Sequence, residues 1–189
     1  MPELLVLRHA KSDWQDAGLD DFDRPLAPRG LKAAPRMGRY LRDLGLQPDL
    51  VLCSPARRAR ETLDLLLTAL ASTPEIGYLK TLYLAPPSRL LAVLRRQSLD
   101  CGRILLIGHN PGLHHLALAL ARDPAGRLQG AAAQRLAEKF PTAALARFRV
   151  RAWDTLGEAP AVLEAFVRPR DLPDGDLADG NLPDGDPAG

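Results

Sequence analysis

The chain has 189 residues, 46% hydrophobic and 25% charged, ordinary figures for a soluble globular protein with one sizeable domain. Its net charge of +2 is too small to argue for nucleic-acid binding, so no nucleic-acid partner is expected. The longest apolar runs, such as residues 63–70 and 116–121, are too short and too interrupted to span a bilayer, so no membrane association is expected either.

Met-Pro-Glu runs straight into a strand-like segment, with no secretory signal in view. Leu4-Leu5-Val6-Leu7 reads as a fully buried strand. After a polar, Asp-rich loop, Leu31, Ala34, Gly38 and Leu41 share one helical face that ends near Gly45. Leu50-Val51-Leu52-Cys53 is a second buried strand. Ser54 and Pro55 then predict a helix start, with Leu63, Leu66, Leu67 and Leu70 on one face. Residues 76–84 read as a short strand with a loop, and Ser88 as the cap of a helix reaching about Arg96. Arg103-Ile104-Leu105-Leu106-Ile107 is a third buried strand, followed by a helix over 111–121. An Ala-rich helix over 131–139 and strands over 143–150 and 161–167 complete the pattern. Continuous apolar strands separated by helices predict an α/β fold: a three-layer α/β/α sandwich around a mostly parallel sheet of about five to six strands.

The last stretch differs. Residues 172–176, 177–181 and 182–186 form a five-residue Asp-Gly repeat with little apolar content, which predicts disorder. Calcium binding lacks support, because the EF-hand spacing and its terminal Glu are missing. The expected organisation is therefore one domain over 1–170 and a tail over 171–189. That tail holds six Asp and no Lys or Arg, so the rest of the chain is near +8, an excess suited to an anionic substrate or partner, although most of these arginines read as a solvated surface. Cys53 and Cys101 form no CxxC pair; they read as small buried hydrophobes in a reducing cytoplasm.

In parallel sheets, ligands sit at the carboxyl ends of strands. Arg8, His9 and Lys11 follow the first strand, Ser54, Arg57, Arg58, Arg60 and Thr62 follow the second, and Gly108, His109 and Asn110 follow the third. Singly, each is an ordinary surface or turn residue; together, three strand ends bring guanidinium and imidazole groups to one edge. Fixed guanidinium groups suit the spread charge of a phosphoryl group in transfer. A neutral imidazole, kept so by nearby cations, suits a nucleophile that forms a phosphohistidine, and a second imidazole suits stabilisation of the moving charge. His9 is the expected nucleophile.

These residues resemble the histidine phosphatase superfamily, with its phosphoglycerate mutase-like fold. Leu7-Arg8-His9-Ala10 is similar to the family's Arg-His signature; Ser54, Arg58, Ala59 and Thr62 to its second-strand motif; Gly108-His109 to its second histidine. Residues 8–14, Asp23-Arg24-Pro25-Leu26 before Arg29-Gly30, and residues 108–112 look like the small SixA-type phosphohistidine phosphatases, and so do residues 140–145 and Pro169-Arg170. The resemblance covers about residues 2–170. It implies Arg8, His9, Arg58 and His109 as catalytic residues, with Arg24, Ser12 and Asn110 as substrate-binding ones, and no cofactor or metal. Its expected substrate is a phosphorylated histidine on a protein of phosphotransfer or phosphocarrier type.

One departure stands out. Where many superfamily members carry an acidic proton donor, this chain reads Tyr83-Leu84-Ala85-Pro86-Pro87, with no carboxylate. That agrees with a phosphohistidine substrate, whose protonated imidazole leaves as a neutral ring, unless Asp13, Asp23 or His109 supplies a proton. The alternatives are a phosphomonoesterase acting on a small phosphorylated metabolite and a non-catalytic phosphohistidine-binding module. A cysteine phosphatase centred on Cys53 needs an arginine at position 59, which is Ala59. His114 and His115 read as helix residues, lacking a carboxylate at metal-ligand spacing.

Overall fold

The computed structural model describes residues 1–158 and 161–172. In chain order its elements are β1 (Glu3–Arg8), α1 (Pro28–Asp43), β2 (Leu50–Cys53), α2 (Arg57–Leu67), β3 (Glu75–Tyr78), α3 (Pro87–Leu94), β4 (Arg103–Gly108), α4 (Gly112–Ala121), α5 (Gly130–Glu138), β5 (Leu145–Arg149) and β6 (Val162–Val167). The strands form one sheet in the order β3-β2-β4-β1-β5-β6. β1 to β4 run parallel, and β5 pairs antiparallel with both β1 and β6.

The two central strands, β1 and β4, are apolar on both faces because helices cover both. Alternate residues point to opposite sides. Leu5, Leu7, Leu105 and Ile107 pack with Met37 and Leu41 of α1 and Leu63 and Leu66 of α2. Leu4, Val6, Ile104 and Leu106 pack on the other side with Leu90 of α3, Leu116 of α4 and Leu136 of α5. Each such buried Leu contributes about 1.5–3 kcal/mol, enough in sum to fix the sandwich. The helices following β1 and β4 thus lie on opposite faces, and the ends of these neighbouring strands open on a crevice.

Local differences from the sequence expectation have physical reasons. α2 starts at Arg57 with Ala56 at its cap position, not at Ser54, whose hydroxyl is taken by a histidine described below. Ser88 lies inside α3, which starts at Pro87, a residue whose fixed φ suits the first turn. The strand expected within 76–84 ends at Tyr78, and Lys80–Leu82 forms a 3-10 turn. The start of the expected tail packs on the domain: Asp171 bonds Arg168, and the carbonyl of the buried Leu172 accepts a hydrogen bond from Arg36 at 2.7 Å. Residues 173–189 of the expected tail lie outside the described residues. Among the described residues no helix is long and apolar enough to cross a membrane.

Candidate active site

Strand register decides which side chains meet. Arg8 stands opposite Gly108 in the parallel β1–β4 pair, so His9 and His109 emerge side by side. Their ring centroids lie 5.0 Å apart, tilted by 49°. Cys53 stands opposite Ile107, and Ser54 follows, its N–H donating to the Ile107 carbonyl at 3.0 Å. Ser54 Oγ then lies 2.8 Å from His109 Nε2. Thr62 ties α2 to the segment after β1: its hydroxyl accepts from Ala10 N–H at 2.9 Å and donates to the Arg58 carbonyl at 2.6 Å.

Two close backbone approaches hold these loops. A Cβ on Gly30 would fall 2.3 Å from the Lys11 carbonyl oxygen, and one on Gly112 only 1.8 Å from the Ala85 oxygen. Only glycine lets α1 approach the His9 loop, and α4 the Tyr83–Ala85 loop, so closely. Ala143, at φ 57°, donates its N–H to the carbonyls of Arg8 and His9, pinning the end of β1 from the β5 side.

His9 is 6% exposed. Its Nδ1 lies 2.7 Å from the Ala10 carbonyl, an acceptor, so Nδ1 carries the hydrogen and Nε2 the free lone pair. Burial first, then the charges of Arg58 and Arg8, push its pKa down to about 3, against the rise that the Ala10 bond favours. His109 is likewise pushed to about 3, by burial, by His9 and by Arg58. Both rings are neutral near pH 7. Ser54 Oγ also accepts from Ala56 N–H, at 3.4 Å, and with a second lone pair and one hydrogen of its own it can meet either tautomer of His109 at Nε2. His109 Nδ1 is buried and has no partner among the described residues.

Arg8 Nη1 donates to the Phe140 carbonyl at 3.0 Å. Arg58 is 4% exposed; its Nη2 donates to Asp21 Oδ2 at 2.9 Å and its Nη1 to the Asp21 carbonyl. The same Oδ2 accepts from Tyr83 OH at 2.6 Å. Burial raises the Asp21 pKa, but the bonds from Tyr83 and Arg58 outweigh it and hold the carboxyl below its ordinary value. Tyr83 packs edge-on against His109 at 5.3 Å and against Phe22 at 5.0 Å. Arg57 instead pairs with Glu61 on the surface.

Three residues expected to bind substrate have other partners here. Arg24 donates to the carbonyls of Asp16 and Leu19 at 2.9 and 3.1 Å and lies 4.2 Å over the Trp14 ring. Ser12 Oγ accepts from Trp14 Nε1 at 3.1 Å. Asn110 Nδ2 donates to the Phe140 carbonyl at 2.9 Å, the acceptor that Arg8 uses, while its Oδ1 has no partner among the described residues. Of the carboxylates considered as donors, Asp13 accepts from Gln15 N–H in an exposed turn. Sequence reasoning missed Asp21 and Tyr83; the only signal for either was an Asp-rich loop and an aromatic where a carboxylate is missing. Cys53 is buried in the core and donates to the Ser54 carbonyl, and burial pushes its thiol pKa up. It is no nucleophile.

The model of the histidine phosphatase superfamily, branch 1, matches residues 4–80. An uncharacterized Mycobacterium tuberculosis protein, Rv1276c, is 38% identical over 165 residues, spanning 87% of this chain and all of that protein. Among solved structures, the Nakamurella multipartitia protein that carries the name phosphohistidine phosphatase SixA matches with a TM-score of 0.78 at 28% identity, covering 89% of this chain and 96% of that one. Its namesake from Agrobacterium tumefaciens matches with a TM-score of 0.74 at 28% identity, covering 89% and 99%. The chain belongs to the histidine phosphatase superfamily. Its likeness within that superfamily is to the SixA-type branch, and it is a phosphatase.

Proposed function

We propose that this phosphatase hydrolyses a phosphohistidine borne on a protein of phosphotransfer or phosphocarrier type, through a phosphoryl group held on His9. Nε2 of neutral His9 attacks phosphorus and the bond to the substrate imidazole breaks. With that imidazole protonated on its other nitrogen, it departs as a neutral ring, and no enzyme proton is required. Arg8 and Arg58, with the His109 ring beside His9, suit the charge on the transferring oxygens. Water then attacks phosphorus, the bond to His9 Nε2 breaks, and dihydrogen phosphate leaves with both water protons. His9 returns to its neutral form.

The observation that carries this reading is the state of the carboxylate bonded into the cluster. Asp21 is held ionised by Arg58 and Tyr83, so it is a poor proton donor to an alkoxide leaving group. General-acid assistance is worth about 10²–10⁴-fold, and a phosphohistidine dispenses with it. Cys53 and Cys101 are free, which supports action in the reducing cytoplasm.

Phosphate release from a phosphohistidine protein and from an alkyl phosphomonoester such as phosphoserine tests the assignment. The expected kcat/KM favours the phosphohistidine by about 10²-fold or more. Equal or faster turnover of the alkyl ester overturns it.

A further inference from the structure

Beside the catalytic cluster lies a hollow of about 750 Å³ with a strongly cationic wall. Lys11 comes from the loop after β1, Arg29 from the first turn of α1, Arg135 and Lys139 from the end of α5, and Arg168 and Arg170 from the segment after β6. Four separate parts of the chain thus converge, which no single charged run produces. Arg8 lines the hollow as well, so the catalytic arginine is a wall shared with the site. Anions are fewer: Glu138 also lines the hollow, and Asp171 is spent on Arg168 at 2.8 Å. Among the described residues Lys11, Arg29, Lys139 and Arg170 have no side-chain hydrogen bond or ion pair. Like charges gathered with few counter-charges repel one another, and an anionic occupant relieves that repulsion.

We propose that this hollow docks acidic side chains flanking the phosphorylated histidine of the substrate protein. The inference rests on the phosphohistidine reading above and adds a recognition surface to it. The hollow is too broad for one phosphate and has room for several carboxylates. Its remaining walls, Ala33, Pro141, Thr142 and Pro169, include no aromatic ring on which a nucleobase would stack, which favours protein carboxylates over a nucleic acid. With Arg8 in common, a carboxylate in the hollow positions the neighbouring phosphoryl group toward His9.

Binding and turnover separate this proposal from the reading it rests on. A labelled, phosphate-free peptide rich in Asp and Glu is titrated with the full chain by fluorescence anisotropy, with and without salt at about 0.15 M. The exposed pair Arg29 and Lys139 is reversed to R29E/K139E, outside the catalytic cluster. Affinity is expected to fall about tenfold in that variant, two attractions becoming repulsions, and to weaken with salt. The variant should also lose about tenfold in kcat/KM on an acidic phosphohistidine peptide while hydrolysing phosphoramidate like wild type. Unchanged peptide affinity overturns the docking surface. So does an oligothymidylate of equal length that binds more tightly than the peptide, or peptide binding that appears only once residues 173–189 are removed, since the hollow then serves the chain's own acidic end. Should wild type fail to hydrolyse any phosphohistidine peptide, the phosphohistidine reading falls, and the anisotropy result still decides the docking surface.

Discussion

Asp21 occupies Arg58. The carboxylate and the backbone carbonyl of one loop residue take both terminal nitrogens of the buried guanidinium, and Tyr83 fixes the same carboxylate oxygen. A phosphoryl group that uses Arg58 must compete with an anion already in place.

Asp21→Asn removes that competing charge and keeps the shape. Inorganic phosphate should then inhibit about three- to tenfold more tightly, as expected for loss of one partly exposed ion pair. Phosphate inhibition constants for both proteins check this. Weaker phosphate binding in the variant would instead make Asp21 a positioning residue for Arg58.

His9 and His109 are both pushed from 6.5 to about 3. Ring-nitrogen NMR should therefore find both imidazoles neutral at pH 5, and a charged ring there contradicts the assignment. The stability consequence follows from the sign. Depressed folded pKa values mean that the unfolded chain binds more protons between about 6.5 and 3. These groups' contribution is full above pH 6.5 and is lost as pH falls through that window. Urea unfolding across it should show a steeper loss in wild type than in a variant lacking both histidines.

Gly112→Ala should lower stability by about 1–3 kcal/mol, because the new methyl meets the Ala85 carbonyl and something must move. The loop displaced carries Tyr83, so kcat/KM should fall as well. Urea midpoints and initial rates measure both, and an unaffected enzyme would show that α4 and this loop are free to separate.

Cys53→Ser should keep activity within about twofold while costing about 1 kcal/mol of stability for the buried hydroxyl. Activity reduced to background in a folded variant would reinstate a thiol mechanism.

Much of this was legible in the sequence where chemistry and periodicity agree. The apolar runs of β1, β2 and β4 announce buried parallel strands, and the residues after them converge on one edge. Strand direction is another matter. β5 differs from those runs in carrying Arg147 and Arg149 on either side of Phe148, an alternation that fits a partly solvated strand and does not by itself fix its direction. Ser54 has the composition of a helix cap, yet its hydroxyl serves His109 two strands away in sequence; only register brings them together. Asp21 and Arg58 are 37 positions apart, and their pairing depends on how the loop after β1 folds over α2. Arg24 shows the converse: its position suits a phosphate ligand, and its partners here are two loop carbonyls and the Trp14 face.

The central claim is that His9 carries the phosphoryl group. Brief incubation with a radiolabelled phosphohistidine protein, followed by alkaline quench and peptide mapping, tests it directly. An acid-labile, alkali-stable label on the peptide containing His9, absent in His9→Ala, is the predicted result. Phosphate release by His9→Ala at the wild-type rate, with no label on His9 in wild type, would contradict it.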